Sequence, residues 1–447
     1  MTAPELTYGR VFRFYLPLAL SWLFMALEMP IAIAVLSRSP DARVHTAAFY
    51  VIMSIALWIE SPVIDLLATS TTLARGRAAY AALSKFTWLL MLWVTAAHAL
   101  IAFTPLFDVI AYSWIGLPVP VADSTRLALA IMVPWSACIG WRRYLQGIMI
   151  RRGFTRLVGV GTAIRVVTMA GSAFALYVFV QWPASAIVAT ALVCSVAAEA
   201  LFIHAASRAP IRETTLAPES PRESVVSHQV ASLGKLAAFH FPLTATTMVM
   251  MLQFPVIAAA LGRSPDKVLS LASWQVAVAL LFLLRTVVFA LPEAVIALYH
   301  DEATARVLRG FCAWVGAAMS ALLFALALSG IDQAFFRSVL RADAAVSSMA
   351  HVAVLVGAAT PFLGAVQSYL RGMLTAHHQT AARLWSILAG MSSLIAMLMA
   401  GLAAGWMGVV NASVAMTVSM TVELVVLAAF WARERRRAAM PSPAAIE

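Results

Sequence analysis

Several ionisable side chains stand inside apolar runs long enough to cross a bilayer. Glu28 lies two residues before Pro30, Glu60 and Arg285 fall mid-run, and Asp65 follows Glu60 by five residues. Arg165 stands about eight residues into its run, and Glu293 follows Pro292. On insertion scales such a charge costs about 2.5–3.5 kcal/mol at the bilayer centre, so each calls for a partner, a water-filled cavity or a helix end.

The chemistry open to each differs. A carboxylate beside a proline that favours a kink, as Glu28 is, suits a coupling-ion or proton site, or else an inert hydrogen-bonded group. Gln253, also two residues before a proline, holds the corresponding place in the second half. Glu60 and Arg285 share one repeat position with opposite charge. They read either as an ion pair between the halves or as an anion-binding arginine gated by a carboxylate. Asp65 points roughly 140° away from Glu60 on a helix and serves another contact. Glu293 reverses the order seen at Pro30. Arg165, roughly 12 Å along its helix, is too deep for simple snorkelling. Arg142, Arg143 and Arg371 fall near helix ends and are expected to snorkel to the headgroups. Turned inward, they would line a cationic vestibule suited to phosphate or carboxylate. Glu199 and Glu423 match across the halves and are expected to brace the last helix of each.

Enzyme signatures are missing from this inventory. The sequence has no Walker A motif, no HExxH helix and no Ser-His-Asp or Cys-His constellation in one loop. Cys138, Cys194 and Cys312 show neither metal-ligand spacing nor a disulfide framework. The expectation is therefore a non-enzyme with no catalytic residue, cofactor or metal, driven by a gradient or passive.

The elements that must position these residues are membrane helices. The chain is 62% hydrophobic and 11% charged, with a mean hydropathy of +0.88, more apolar surface than a soluble fold of this size can hide. Spans are read at 11–36, 45–71, 86–110, 124–148, 157–180 and 184–206, then at 235–261, 270–297, 308–330, 347–374, 383–405 and 407–432. The runs are long and continuous, which rejects a β-barrel. The fold class is thus all-α integral membrane, about twelve helices in two parallel six-helix repeats. The domains are 1–206, a cytoplasmic linker 207–233, a second bundle 234–432 and a tail 433–447. The net charge of +11 reads as topology, not nucleic-acid binding. Arg75, Arg77 and Lys85, then Arg151, Arg152 and Arg156, Arg208, Arg212 and Arg222, and finally Arg433, Arg435, Arg436 and Arg437 mark cytoplasmic loops and termini. The first apolar run is too long for a cleavable signal. Abundant Arg and Ala with few Lys suggest a bacterial inner membrane.

The two halves say nearly the same thing 225 residues apart. Gly9, Pro17, Pro30 and Arg38-Ser39-Pro40-Asp41 recur as Gly234, Pro242, Pro255 and Arg263-Ser264-Pro265-Asp266. Tyr144-Leu145-Gln146-Gly147 recurs as Tyr369-Leu370-Arg371-Gly372, and Thr155 as Thr380. Two copies of a helical membrane unit point to a transporter with its pathway where the copies face each other.

This pattern resembles the MATE-like MOP flippase superfamily, and within it the progressive ankylosis (ANK) transporters. The residues that carry the resemblance are Arg13-Phe14-Tyr15-Leu16-Pro17-Leu18, Pro242-Leu243 to Pro255-Val256, and Gly405-Trp406-Met407-Gly408-Val409-Val410-Asn411-Ala412. The resemblance implies alternating access between two six-helix bundles and export of small polyanions such as citrate, pyrophosphate or nucleotide. The short C-terminal tail departs from animal members. From the residues, substrate contacts are expected at Arg285, Arg165, Glu60, Arg143 and Arg371, with coupling or gating at Glu28, Gln253, Asp65 and Glu293. The alternatives are an H⁺- or Na⁺-coupled multidrug exporter, a flippase for a lipid-linked precursor, and a membrane scaffold. The expected partners are a small anion, the lipid bilayer and a coupling H⁺ or Na⁺, but no nucleic acid. The chain is read as a monomer.

Overall fold

A computed structural model describes residues 6–216, 232–377 and 379–439. Residues 217–231 of the expected linker, with Arg222, and the tail from 440 onward lie outside the described residues. All regular structure among the described residues is helical. Eleven helices are long and apolar enough to cross a membrane. They are α1 (Tyr8–Leu36), α2 (Ala42–Leu73), α3 (Gly76–Phe103), α5 (Thr155–Phe179), α6 (Ala184–Ala206), α7 (Leu233–Leu261), α8 (Lys267–Leu298), α9 (Glu302–Leu328), α10 (Ala344–Ala376), α11 (Ala381–Ala403) and α12 (Gly408–Arg436). The fourth position of the first half, α4, is built from Val119–Ile131 and Val133–Arg151. The two segments meet at Met132, and the second carries Arg142, Arg143 and Arg151. The expected linker begins with a short helix, Arg208–Leu216. The last helix continues to Ala439, beyond the expected end at 432.

The interruptions repeat with the duplication, and prolines explain most of them. Pro30 offers no N–H to the carbonyl of Ala26, and α1 breaks at Leu27 into Tyr8–Ala26 and Glu28–Leu36. Pro255 does the same to α7, which breaks at Leu252 into Leu233–Met251 and Gln253–Leu261. Pro134 and Pro361 stand in the first turn of the second segments of α4 and α10. α2 passes through Pro62, where the Ser61 hydroxyl donates to the Trp58 carbonyl at 2.7 Å, and is interrupted only at Asp65. At the matching place α8 tightens into a 3₁₀ turn, Thr286–Ala290, before Leu291–Leu298.

Contacts group the described residues into two compact units, one drawn from 27–276 with 337–346, the other from the described residues up to 26, 277–336 and the described residues from 347 onward. The first contains the second segment of α1, α2 to α7 and the start of α8. In the second, the first segment of α1 is embedded in a core of Val11, Tyr15 and Ala19 with Val288 and Leu291 of α8, Phe311 of α9 and Tyr369 of α10. The Tyr15 hydroxyl donates to the Val287 carbonyl at 2.5 Å, in the 3₁₀ turn of α8. Inside the first unit, α7 makes the equivalent contact with α2. His240 Nε2 lies 2.9 Å from the Pro62 carbonyl, and its Nδ1 lies 2.8 Å from Thr69 Oγ1. Tyr15 and His240, like Pro62 and Val287, are repeat equivalents. In both cases the first segment of a repeat's leading helix is seated on the second helix of the other repeat.

Candidate functional site

Most of the intramembrane charges gather into two clusters, one in each unit. The break at Leu27 makes Glu28 the first residue of a helical segment, where the segment's dipole favours a carboxylate. Arg165 of α5 meets it as a fork, with Nε donating to Oε1 and Nη2 to Oε2, both at 2.5 Å. Such bidentate pairs combine charge with fixed geometry. Arg165 also lies 3.9 Å from Oε2 of Glu199 in α6. The other oxygen of Glu199 accepts from Arg142 Nη1 at 3.0 Å and from Gln146 Nε2 at 3.1 Å, both on α4. Glu199 is fully buried, and Arg142 is 2% exposed.

Glu60 of α2 completes this cluster from one side. It is buried, Oε2 has no hydrogen-bond partner among the described residues, and its charged neighbours are Arg165, Arg142 and Arg143. Arg143 likewise has a buried Nε without a partner. The cluster thus balances three guanidiniums against three carboxylates, as buried charge requires. One oxygen each of Glu60 and Glu199 and the Nε groups of Arg142 and Arg143 are left without hydrogen-bond partners among the described residues.

The second unit carries a smaller set with a different balance. Arg371 of α10 forms an ion pair with Glu423 of α12. Gln367 Nε2 donates to the Met420 carbonyl at 2.7 Å and reaches the other Glu423 oxygen at 3.5 Å. Arg285 of α8 sits beside this pair, half-buried. Its Nη1 contacts Met416 Sδ at 4.0 Å, and its Cζ lies 5.6 Å from the centre of the Phe289 ring. Its Nε is buried without a hydrogen-bond partner. Two guanidiniums face one carboxylate here, which leaves a net positive charge beside Arg285.

The 225-residue offset relates the two clusters. Arg142 and Gln146 correspond to Gln367 and Arg371, so each repeat sets one Arg and one Gln, four residues apart on one helix face, against the glutamate of its sixth helix. Only their order is reversed. The Glu28–Arg165 pair corresponds to Gln253 and Gly390, so its two members are absent together from the second repeat.

The structure corrects one expectation plainly. Arg142, Arg143 and Arg371 do not snorkel: Arg142 and Arg371 turn inward onto glutamates, and Arg143 faces the same buried cluster. The second segment of α4 runs to Arg151, which places Arg142 roughly 13 Å from its end, too deep to reach the headgroups. Glu28 is held by Arg165. Glu60 and Arg285 belong to different units, each with its own charged neighbours. Asp65 stands at the interruption of α2, and Glu293 is exposed in the first turn of the last segment of α8. Gln253 takes the place of Glu28 at the head of its segment without the charge. Gln146 and Gln367 were not expected at the site. Their signal is the offset itself, which lines each glutamine up with an arginine. No group of His, Cys, Asp or Glu suited to a metal occurs among the described residues.

No family model matches the sequence, and no curated protein matches it. Solved structures do match in fold. The lipid II flippase MurJ, in an inward closed conformation, superposes with a TM-score of 0.68 at 12% identity, over 92% of this chain and 86% of the other. A multidrug resistance MATE family transporter of the MOP superfamily, inward-facing, gives 0.64 at 12% identity over 92% and 95%. A MOP superfamily transporter from Pyrococcus furiosus, described as having a binding pocket of reverse polarity, gives 0.63 at 12% identity over 94% and 96%. The chain is therefore an integral membrane protein with a MATE-like fold.

Proposed function

We propose that the chain is a secondary active transporter that works by alternating access and moves a small organic or phosphate-containing anion, with Arg285 as its principal contact. The observation that carries this reading is the inequality among the arginines of the two clusters. Arg142, Arg165 and Arg371 each form an ion pair with a carboxylate, whereas Arg285 meets a thioether and a phenyl face. A half-buried guanidinium without a carboxylate gains most from an anion that supplies acceptors to it. The fold supports transport, and the pocket of reverse polarity described for the Pyrococcus furiosus relative shows that the fold accommodates different cavity charge. On this reading the chain sits with the ANK-like members, both termini are cytoplasmic, and the membrane is a bacterial inner one.

The test is efflux from proteoliposomes loaded with labelled citrate, pyrophosphate or ATP. A charge-assisted hydrogen bond contributes about 1.5–3 kcal/mol, so Arg285→Ala should slow efflux by roughly ten- to a hundredfold. Efflux that is equally fast with Arg285→Ala would remove Arg285 from the pathway. A second reading, export of a cationic drug against H⁺, draws on the unused oxygen of Glu60. It gains if Glu60→Gln abolishes dye movement under a proton gradient while none of the three anions moves.

A further inference from the structure

At the end of the helices opposite the termini, each repeat's Arg-Ser-Pro-Asp turn grips the other repeat. Between α3 and α4 the backbone widens into a π-helical turn, Val109–Ile115, that ends at Gly116 with φ of 79°. Between α9 and α10 a second such turn, Phe335–Val339, is followed by Arg341 with φ of 59°. Wide turns of this kind leave terminal carbonyls open to outside donors.

Arginines of the opposite repeats take them. Arg263, after α7, donates to the carbonyls of Trp114 and of Ser113, the latter at 2.9 Å, and to Ala259 of its own helix at 3.0 Å. Arg38, after α1, donates to the carbonyl of Val339 at 3.2 Å and to Ala34 of its own helix at 2.5 Å. Arg38 and Arg263, Ala34 and Ala259, and Trp114 and Val339 are all repeat equivalents. One contact, made twice, ties the two copies of the duplicated unit together, and all of it lies within the unit of 27–276 with 337–346.

The two sides are sealed differently. Around Arg263 backbone meets backbone: a Cβ on Gly116 would stand 3.2 Å from the Gly262 carbonyl, and one on Gly262 would collide with that of Ile115. Lys267 adds a bond to the Gly116 carbonyl at 3.2 Å. Around Arg38 the equivalents of Gly262 and Gly116 are Ser37 and Arg341, and a cavity of about 60 Å³ remains beside them. That side is closed instead by Arg43, which forks onto Asp343 at 2.6 and 2.9 Å.

We propose that Arg38 and Arg263 form a twofold pair of latches that hold this face shut, and that both release each time the face opens. The proposal rests on the transporter reading. Both arginines are exposed at the surface, and water competes for their bonds. That weakness suits a contact which must break and re-form in every cycle, and it limits each latch to about a tenfold shift between closed and open states.

The experiment reads closure without transport. Ser273, fully buried and roughly 9 Å along α8 from Lys267, is changed to Cys in a background with Cys138, Cys194 and Cys312 replaced by Ala. The protein is placed in nanodiscs and its labelling by a hydrophilic maleimide is timed. Arg38→Ala and Arg263→Ala should each speed labelling several-fold, and the pair by at least tenfold. Should the double variant fail to fold, Arg38→Lys and Arg263→Lys keep the charge but lose the fork, and each should still speed labelling. Unchanged rates in folded variants overturn the latch. Faster labelling in variants of a protein that moves none of the three anions supports the latch while sinking the anion reading.

Discussion

The reversed order of Arg and Gln on α4 and α10 can be tested by making one repeat copy the other. In Arg142→Gln, Glu199 keeps two amide donors but loses the guanidinium 3.0 Å from Oε1, and Arg165 at 3.9 Å is already committed to Glu28. Leaving a buried charge without its partner costs about 3–5 kcal/mol. Glu199 is wholly inaccessible, so little of that cost is relieved by water. An apparent melting temperature lower by roughly 5–10 °C is expected in detergent at a fixed scan rate. Adding Gln146→Arg recreates the arrangement of Gln367 and Arg371 against Glu423. The guanidinium returns to the same carboxylate from one helical turn further along α4. Most of the lost melting temperature should come back in the double variant, and Gln146→Arg alone, with two arginines on one glutamate, should be less stable than wild type. A double variant no more stable than Arg142→Gln would show that the matching positions are not interchangeable, and the repeat argument for this cluster would fall.

Arg165→Ala, which strands Glu28, should destabilise the protein by about 3–5 kcal/mol, and Arg165→Ala with Glu28→Ala by clearly less; equal losses in thermal unfolding would deny the pairing. Asp343 outside the spans is raised by partial burial, but the Arg43 fork and the N–H groups of Val346 and Ala345 prevail and hold its carboxyl below the usual range. A depressed folded pKa gives stability that is present above the ordinary aspartate value of about 3.9 and is lost as pH falls through the folded value. Labelling at Ser273→Cys should therefore be flat from pH 8 to about 5 and rise only in stronger acid, and a rise already near neutrality would contradict this. Gly147→Ala would drive a Cβ into Ser70 and to within 2.9 Å of the Thr71 nitrogen, a backbone collision expected to cost about 1–3 kcal/mol. A Gly147→Ala protein that melts with wild type would mean α2 and α4 approach less closely than described.

Much of the scaffold is legible in the chain because its signals are local. Pro30 and Pro255 announce the breaks at Leu27 and Leu252, and the length of each apolar run announces a membrane helix. The equivalence of Glu199 and Glu423 leads to the two glutamates that the arginines meet. What the sequence conceals is direction and depth. Arg142 reads as a helix-end residue until α4 is seen to extend past it to Arg151, and then snorkelling has no route. Glu28 reads as a free carboxylate because Arg165 is 137 residues away in the chain. The seating of Tyr15 on α8 and of His240 on α2 escapes hydrophobic periodicity altogether, since in lipid a helix shows no apolar face by which to choose its neighbour.

That exchange bears on how the protein is made. The first segment of α1 leaves the ribosome before the helices α2 to α12, yet the carbonyl that its Tyr15 binds lies 272 residues later. At about 5–20 residues per second, it waits roughly 15–55 s in the bilayer before α8 exists. The first repeat alone therefore lacks the surface on which its leading segment settles, and it lacks the α7 segment that covers its own Pro62 carbonyl. Neither half is a self-sufficient folding unit. A gene cut between the repeats should yield protein only when both pieces are synthesised in the same cell, because helices of the second repeat fix the leading segment of the first.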